Sequence, residues 1–275
     1  CIERYDTLNW AIYRIHYGLD FLKQSIDSVI DTVDKVFVIY SLEPWVVKDT
    51  VTYLGEEIPM PKLQENVPAF MEKHYSNNNK VVWFREEVGT PKNQFRSYYD
   101  ICVRKYEQQP TKVLFMEPDM IFFKSSVQKL FDQLTFSDKP CLGTLQVELW
   151  KDHNWRVPER SRIGPVVWQI DRMPHFSTHF GPTSPNLEYV AKDIRNYNFG
   201  FCLNATTMMY KHLTAINFSA EIGDSIPSQE WYRDKWLMWT PATRDIEISE
   251  KWKHLIPKAD IYTMPNEMKK QMGLS

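Results

Sequence analysis

Apolar residues gather along this chain in short unbroken runs, separated by stretches whose apolar positions recur at the helical period. Runs of that kind predict strands buried on both faces, joined by amphipathic helices. They fall at residues 10–15, at Val36-Phe37-Val38-Ile39-Tyr40, at Val81-Val82-Trp83-Phe84 and at Val113-Leu114-Phe115-Met116. Between the first two, Leu19, Leu22, Ile26, Val29, Ile30 and Val33 share a helix face, with Asp20 placed to cap it. Pro-rich sequence over 59–68 reads as a loop, and a helix follows to about residue 74, where Ser76-Asn77-Asn78-Asn79 breaks it. Thr90-Pro91 is a helix start, and Phe95, Tyr98, Tyr99, Cys102 and Tyr106 line one face of the helix it opens. A further helix is expected over about 125–134. Repeated β–α–β units predict a parallel, doubly wound α/β sheet with right-handed crossovers.

Beyond Pro140 the pattern changes. Strands are expected at 141–149 and 166–170, with a polar, aromatic stretch over 150–162 between them and a long loop over 174–185. Helices are expected at 205–216 and 229–239, and a short turn at 249–255. No linker separates the halves, so the chain reads as a single domain, 1–275. A first half over about 9–123 precedes a second over about 140–275.

The fourth run carries the chemistry. It stops at Glu117-Pro118-Asp119 and turns apolar again through Met120-Ile121-Phe122-Phe123. Parallel α/β sheets bind ligands outside the carboxyl ends of their strands, so these two carboxylates stand where a site is expected. Pro118 pushes Glu117 toward extended backbone. Extended residues two apart face one side, roughly 7 Å apart. Two like charges held so close favour a bound cation, or else one stays protonated. Oxygen ligands suit Mg²⁺ or Mn²⁺ better than zinc. The competing reading is an acidic surface turn.

Composition narrows the rest. In 275 residues, a hydrophobic share of 43% with 25% charged is that of a globular domain. A net charge of −2 gives no reason to expect nucleic acid or an anionic membrane as partner. The four cysteines are far apart with no C-x-x-C pair, which fits free thiols in a reducing, cytoplasmic setting. No apolar stretch approaches the roughly 20 residues of a membrane span. The chain begins at Cys1, so a preceding segment is left open. Asn204-Ala205-Thr206 and Asn217-Phe218-Ser219 fit the glycosylation triplet.

A buried strand, a helix, a second buried strand and then a D-x-D-like triplet ending a later strand resemble the GT-A fold of nucleotide-sugar-dependent glycosyltransferases, in its family 2-like form. The resemblance implies a mostly parallel central sheet with helices on both faces, plus a smaller acceptor-side region. It implies that Asp119 holds a divalent metal on the donor diphosphate, while Glu117 contacts the ribose or shares the metal. Glu in the first place departs from the commonest form of the triplet. Pro91-Lys92-Asn93-Gln94-Phe95-Arg96 is similar to the family's polar helix start near the donor phosphates, where a helix N-terminus attracts phosphate; Asn93 and Arg96 are its candidates. Arg14, Ser41 and Glu43 lie where the family cradles base and ribose. Asn198-Phe199-Gly200-Phe201 is similar to the turn beside the donor sugar, with Gly200 admitting close backbone approach. Glu230 and Asp234 lie where the family places its acidic catalytic motif, a carboxylate that takes the acceptor's proton. His254 resembles the late histidine that completes the metal shell.

The implied function is sugar transfer from a nucleoside-diphosphate donor to a carbohydrate or glycoconjugate acceptor, with Mn²⁺ or Mg²⁺. Trp150, Trp155, Trp168 and Trp231 are candidates to stack on the acceptor. Two other readings stand beside it: a non-catalytic nucleotide- or sugar-binding module on the same fold, and a nucleotidyltransferase. The latter usually carries a Gly-rich phosphate loop, and Arg14-Ile15-His16-Tyr17-Gly18 offers one glycine. His175 and His179 follow Pro174 in the expected loop, which argues against a zinc site.

Overall fold

The computed structural model describes residues 8–42, 48–61, 65–86, 94–158, 163–172, 190–222, 229–246 and 258–274. At 94–96, 163, 165 and 218–222 it describes the backbone alone. The first half runs β1 (Asn9–Ile15), α1 (Leu22–Val29), β2 (Lys35–Tyr40), β3 (Thr50–Tyr53), β4 (Glu56–Pro59), α2 (Val67–Tyr75), β5 (Val81–Arg85), α3 (Gln94–Tyr106), β6 (Lys112–Met116), β7 (Met120–Phe122) and α4 (Lys124–Thr135). The second runs β8 (Cys141–Trp150), β9 (Asp152–Arg156), β10 (Ile163–Gln169), β11 (Val190–Phe201), α5 (Ala205–Ile222), β12 (Asp260–Ile261) and α6 (Asn266–Met272).

The four apolar runs become β1, β2, β5 and β6, hydrogen-bonded in parallel in the order β5-β2-β1-β6. Their lack of alternation has a direct cause. Ala11, Tyr13 and Ile15 of β1 pack with Leu22, Ile26 and Val29 of α1 and with Val127 and Leu130 of α4. Trp10 and Ile12, pointing the other way, pack with Tyr98, Tyr99 and Cys102 of α3. Every position must be apolar when helices cover both faces. Each such side chain contributes about 1.5–3 kcal/mol by leaving water. The expected α/β architecture, a parallel core with helices on both faces, is the one observed.

The second half extends the same sheet. β10 runs antiparallel to β6 and to β8, and β8 in turn pairs with β9 and, in parallel, with β11. β11 also pairs antiparallel with β7, directly beyond the acidic triplet. This makes 198–201 the end of a long strand and not the turn expected. The sequence of β11 hid it because buried Asn196 and Asn198 interrupt its apolar pattern. Asn196 is satisfied across the sheet, donating to Thr144 Oγ1 at 2.8 Å and to Leu145 O at 3.3 Å.

Other expectations are corrected locally. Asp20 does not cap α1, whose N-cap is Phe21 with no side-chain bond; its carboxylate accepts from Asn204 instead, Nδ2 at 2.9 Å. The hairpin β3–β4 had no sequence signal. The helix expected over 229–239 is a π-helical segment at Tyr232–Leu237. Trp150, Trp168 and Trp231 are core residues, 0%, 2% and 3% exposed, and have no face to offer an acceptor. Trp155, half-buried, stands edge-on to Trp239 and under Arg244. The loop at 174–185 with His175 and His179, the cap at Thr90-Pro91 and the turn at 249–255 lie outside the described residues.

Candidate functional site

The site is assembled where β1 and β6 end. After Met116 the chain turns at once: Met120 N donates to Glu117 O at 3.2 Å, with Pro118 at the first corner. That turn replaces the extended geometry expected of Glu117-Pro118-Asp119, and each carboxylate meets its own cation. Glu117 Oε1 accepts from Arg14 NH2 at 2.6 Å; Arg14 lies on the adjacent strand β1 and is 3% exposed. Asp119 sinks further in, 6% exposed. Its Oδ2 lies 3.5 Å from Lys211 Nζ on α5, and its Oδ1 is buried with no hydrogen-bond partner among the described residues. Burial pushes the Asp119 carboxyl above the ordinary aspartate range, Lys211 pulls it back, and the Glu117 charge pushes it up again.

The second half reaches this turn through β11 and α5. Phe199 N donates to Asp119 O at 2.8 Å, tying the strand to the triplet's backbone. Next along, Gly200 N donates to Asn198 Oδ1 at 2.6 Å, and Gly200 O accepts from Lys211 Nζ at 3.0 Å. A Cβ at Gly200 would lie 2.6 Å from Lys211 Nζ, 2.7 Å from Asn198 Oδ1 and 2.9 Å from Asp119 Oδ2. Only glycine lets these three polar groups crowd one backbone position.

α5 is held in place by polar contacts that cross between the halves. Asn204 Oδ1 accepts from Thr207 N at 3.0 Å in the manner of an N-cap. Thr207 Oγ1 donates to Glu65 Oε1 at 3.3 Å, and Glu65 Oε2 accepts from Gly18 N at 2.8 Å and Leu19 N at 3.2 Å. Gly18 takes φ +97, the left-handed region that favours glycine, and packs on Pro118. His16 Nε2 is hydrogen-bonded to Tyr210 OH. Lys211 is four residues past Thr207, so the same helix face that grips the β1 loop presents the ammonium to Asp119. Burial, and after it the charges of Glu117 and Asp119, raise the phenol of Tyr17 above its ordinary range, which sets that side chain in the field of the same site. Asn204 and Asn217, the asparagines of the two glycosylation triplets, are both engaged in the fold, Asn217 by bonds to Lys48 and Thr50.

Of the residues singled out in the sequence, Arg14 pairs with Glu117, and Asp119 stands beside Gly200 and Lys211. Ser41 is buried just past β2, its N donating to Ile15 O at 3.0 Å and its O bonded to His16 Nδ1 at 3.1 Å. Arg96 sits in the first turn of α3, described by its backbone alone. Glu43, Asn93 and His254 lie outside the described residues. Glu230 and Asp234 are exposed, on the segment that follows α5. Asp234 pairs with Arg233 at 2.5 and 3.0 Å, which holds its carboxyl below the ordinary aspartate range. The charges of Arg233, Asp234 and Glu230 all act on Tyr53 of β3, so these groups share one surface. Sequence reading missed Lys211 and took Asn198 only as part of the expected turn. A lysine within a helix carries no local mark, and its place at the site comes from contact with a loop 92 residues earlier.

A divalent cation can be tested against these residues. Among the described residues no group of three His, Cys, Asp or Glu side chains could hold one. Glu117 is matched to Arg14. Asp119, however, offers a buried carboxylate oxygen with no hydrogen-bond partner among the described residues, an atom suited to a hard cation. The site thus fits a cation brought in with a diphosphate, held by Asp119.

No protein-family model matches the chain, and no curated protein does. Among solved structures it is similar to GalNAc-T7 with UDP, GalNAc and Mn²⁺, at 10% identity and TM-score 0.46 over 71% of this chain and 44% of that one. It is also similar to S. aureus TarS 1–349, at 12% identity and TM-score 0.42 over 77% and 65%. A third is the glucosyl-3-phosphoglycerate synthase from Mycobacterium tuberculosis with Mn²⁺, UDP and glucosyl-3-phosphoglycerate, at 12% identity and TM-score 0.33 over 51% and 44%. The chain thus spans 44–65% of the length of these structures. Likenesses of this grade assign no residue a role. No helix among the described residues is long and apolar enough to cross a membrane.

Proposed function

We propose that the chain transfers a sugar from a nucleoside-diphosphate donor to the hydroxyl of a carbohydrate or glycoconjugate acceptor. One observation carries this reading: a buried carboxylate, Asp119, with an oxygen unpartnered among the described residues, at the carboxyl end of a parallel strand, faced by an ammonium and a glycine from the second half of the chain. In the reaction the bond between the anomeric carbon and the diphosphate oxygen breaks, the acceptor oxygen bonds to that carbon, and the nucleoside diphosphate leaves. Bound Mn²⁺ or Mg²⁺ supplies Lewis-acid neutralisation of the leaving group, and Asp119 is the residue that would hold it.

Arg14 neutralises and orients Glu117, which leaves Glu117 to meet the donor's ribose and Asp119 to meet its phosphates. Gly200 keeps that corner open. Ser41, Glu43, Asn93 and Arg96 belong to the donor side of this reading, and His254 is the residue that would add a further ligand to the cation. Of the two late acids, Glu230 is the better base for the acceptor proton. Asp234 is bound to Arg233 and weakened as a base by it.

The test is turnover: release of nucleoside diphosphate from UDP- and GDP-sugars with Mn²⁺ and a panel of saccharide acceptors. The reading expects release that Asp119→Asn lowers by about 10²–10³-fold, the cost of losing a group that stabilises transition-state charge. Nucleotide that binds and is never released from its sugar, with any acceptor, leaves the binding module in its place.

A further inference from the structure

Lys211 stands in an unusual position for a site that takes a divalent cation. Its ammonium is 3.5 Å from Asp119 Oδ2, donates to Gly200 O at 3.0 Å and lies 5.6 Å from the Phe201 ring centroid. Arg14 with Glu117 and Lys211 with Asp119 make two opposite-charge pairs, so the four side chains sum to no net charge. A second cation on Asp119 Oδ1 would stand within a few ångströms of the ammonium. Like charges about 4 Å apart repel strongly even at an effective dielectric of about 20. A nucleoside diphosphate changes this balance, since its phosphates can take the ammonium as the cation takes the carboxylate. The means of moving are present: a lysine side chain is a flexible four-carbon stem, and that of Lys211 is 28% exposed, not locked in the core.

We propose that Lys211 competes with the divalent cation for Asp119 and shifts to the donor's diphosphate when the cation enters, so that cation and nucleotide each bind tightly only with the other. This rests on the nucleotide-sugar reading above and adds to it an order of events and a residue. Before the donor arrives, Lys211 compensates a carboxylate that burial would otherwise leave unpaired. Afterwards the same ammonium contributes a charge-assisted bond to a phosphate oxygen. By linkage, whatever factor UDP adds to Mn²⁺ affinity, Mn²⁺ adds to UDP affinity.

The test is Mn²⁺ affinity, read by the loss of the free-ion electron paramagnetic resonance signal, with and without UDP, in the wild type, Lys211→Met and Lys211→Arg. Without nucleotide, Lys211→Met is expected to bind Mn²⁺ roughly tenfold more tightly than the wild type, within the usual range of a coupling between sites. It should also lose most of the tightening that UDP brings, while Lys211→Arg keeps both wild-type properties. Lys211→Gln retains a donor for Gly200 O and serves the same comparison if the methionine variant folds poorly. Unchanged or weaker Mn²⁺ binding in a folded, uncharged Lys211 variant overturns the proposal, whatever UDP does. A wild type that does not bind Mn²⁺ in the presence of UDP or GDP, and binds neither nucleotide in the presence of Mn²⁺, overturns the nucleotide-sugar reading itself.

Discussion

The two halves of the sheet meet at one acidic turn but specify it in opposite ways. On the parallel side, β1 and β6 are apolar at nearly every position, and the carboxylates sit where the run stops. On the other side, β11 buries Asn196 along its length and Asn198 and Gly200 at its end, and α5 carries Lys211 across to Asp119. The first half holds its acidic residue by strand register; the second holds its cation by a chain of polar contacts through Asn204, Thr207 and Glu65. A scaffold can therefore be fixed by apolar runs alone, while the charge balance of its site depends on long-range polar contacts.

The comparison can be broken most severely at Arg14. Arg14→Met removes the buried guanidinium that Glu117 Oε1 meets at 2.6 Å, and truncating one member of such a pair costs about 3 kcal/mol. Chemical denaturation should show that loss with an unchanged m-value; a loss under a few tenths would mean that the pair is incidental. Gly200→Ala separates scaffold from site. The atoms nearest the added methyl are side-chain ends, of Lys211, Asn198 and Asp119, so stability should fall by about 1 kcal/mol while nucleotide-dependent Mn²⁺ binding is lost. Retained cation binding in a folded Gly200→Ala protein would show that the crowding there has no functional weight. The smallest effect is expected at Glu65, which joins the β1 loop to α5. Burial raises its folded pKa above the ordinary 4.5. Its contribution is therefore fully present below the unfolded value and is lost as pH rises through the raised folded value. Glu65→Gln should flatten the dependence of melting temperature on pH in that interval, and an unaltered profile would remove Glu65 from the link.

How much of this was legible in the sequence follows from the same contrast. β1, β2, β5 and β6, and the helices between them, were readable because burial on both faces leaves unbroken apolar runs. The acidic turn was readable from its place at the end of such a run, although its shape was not. Pro118 favours an extended residue before it, but the hydrogen bond from Met120 N to Glu117 O closes a turn that sends the two carboxylates to different cations. β11 escaped because buried asparagines interrupt its apolar pattern, and Asn196 is satisfied by Thr144, 52 residues away, a partner no local window contains. Trp150, Trp168 and Trp231 were open to both readings, core or platform, because composition cannot tell a ring in a platform from a ring in packing; the structure makes them core.

The central claim is that Asp119 receives a cation together with a diphosphate. The most direct measurement is the melting temperature of the wild type and of Asp119→Asn with nucleoside diphosphates, in the presence and absence of Mn²⁺. Ligands that bind only the folded state raise it, by about 2.7 kcal/mol of stability at a hundredfold excess over Kd. The account predicts that one nucleotide stabilises the wild type far more with Mn²⁺ than without, and that Asp119→Asn abolishes the difference. An equal manganese response in the two proteins would contradict it.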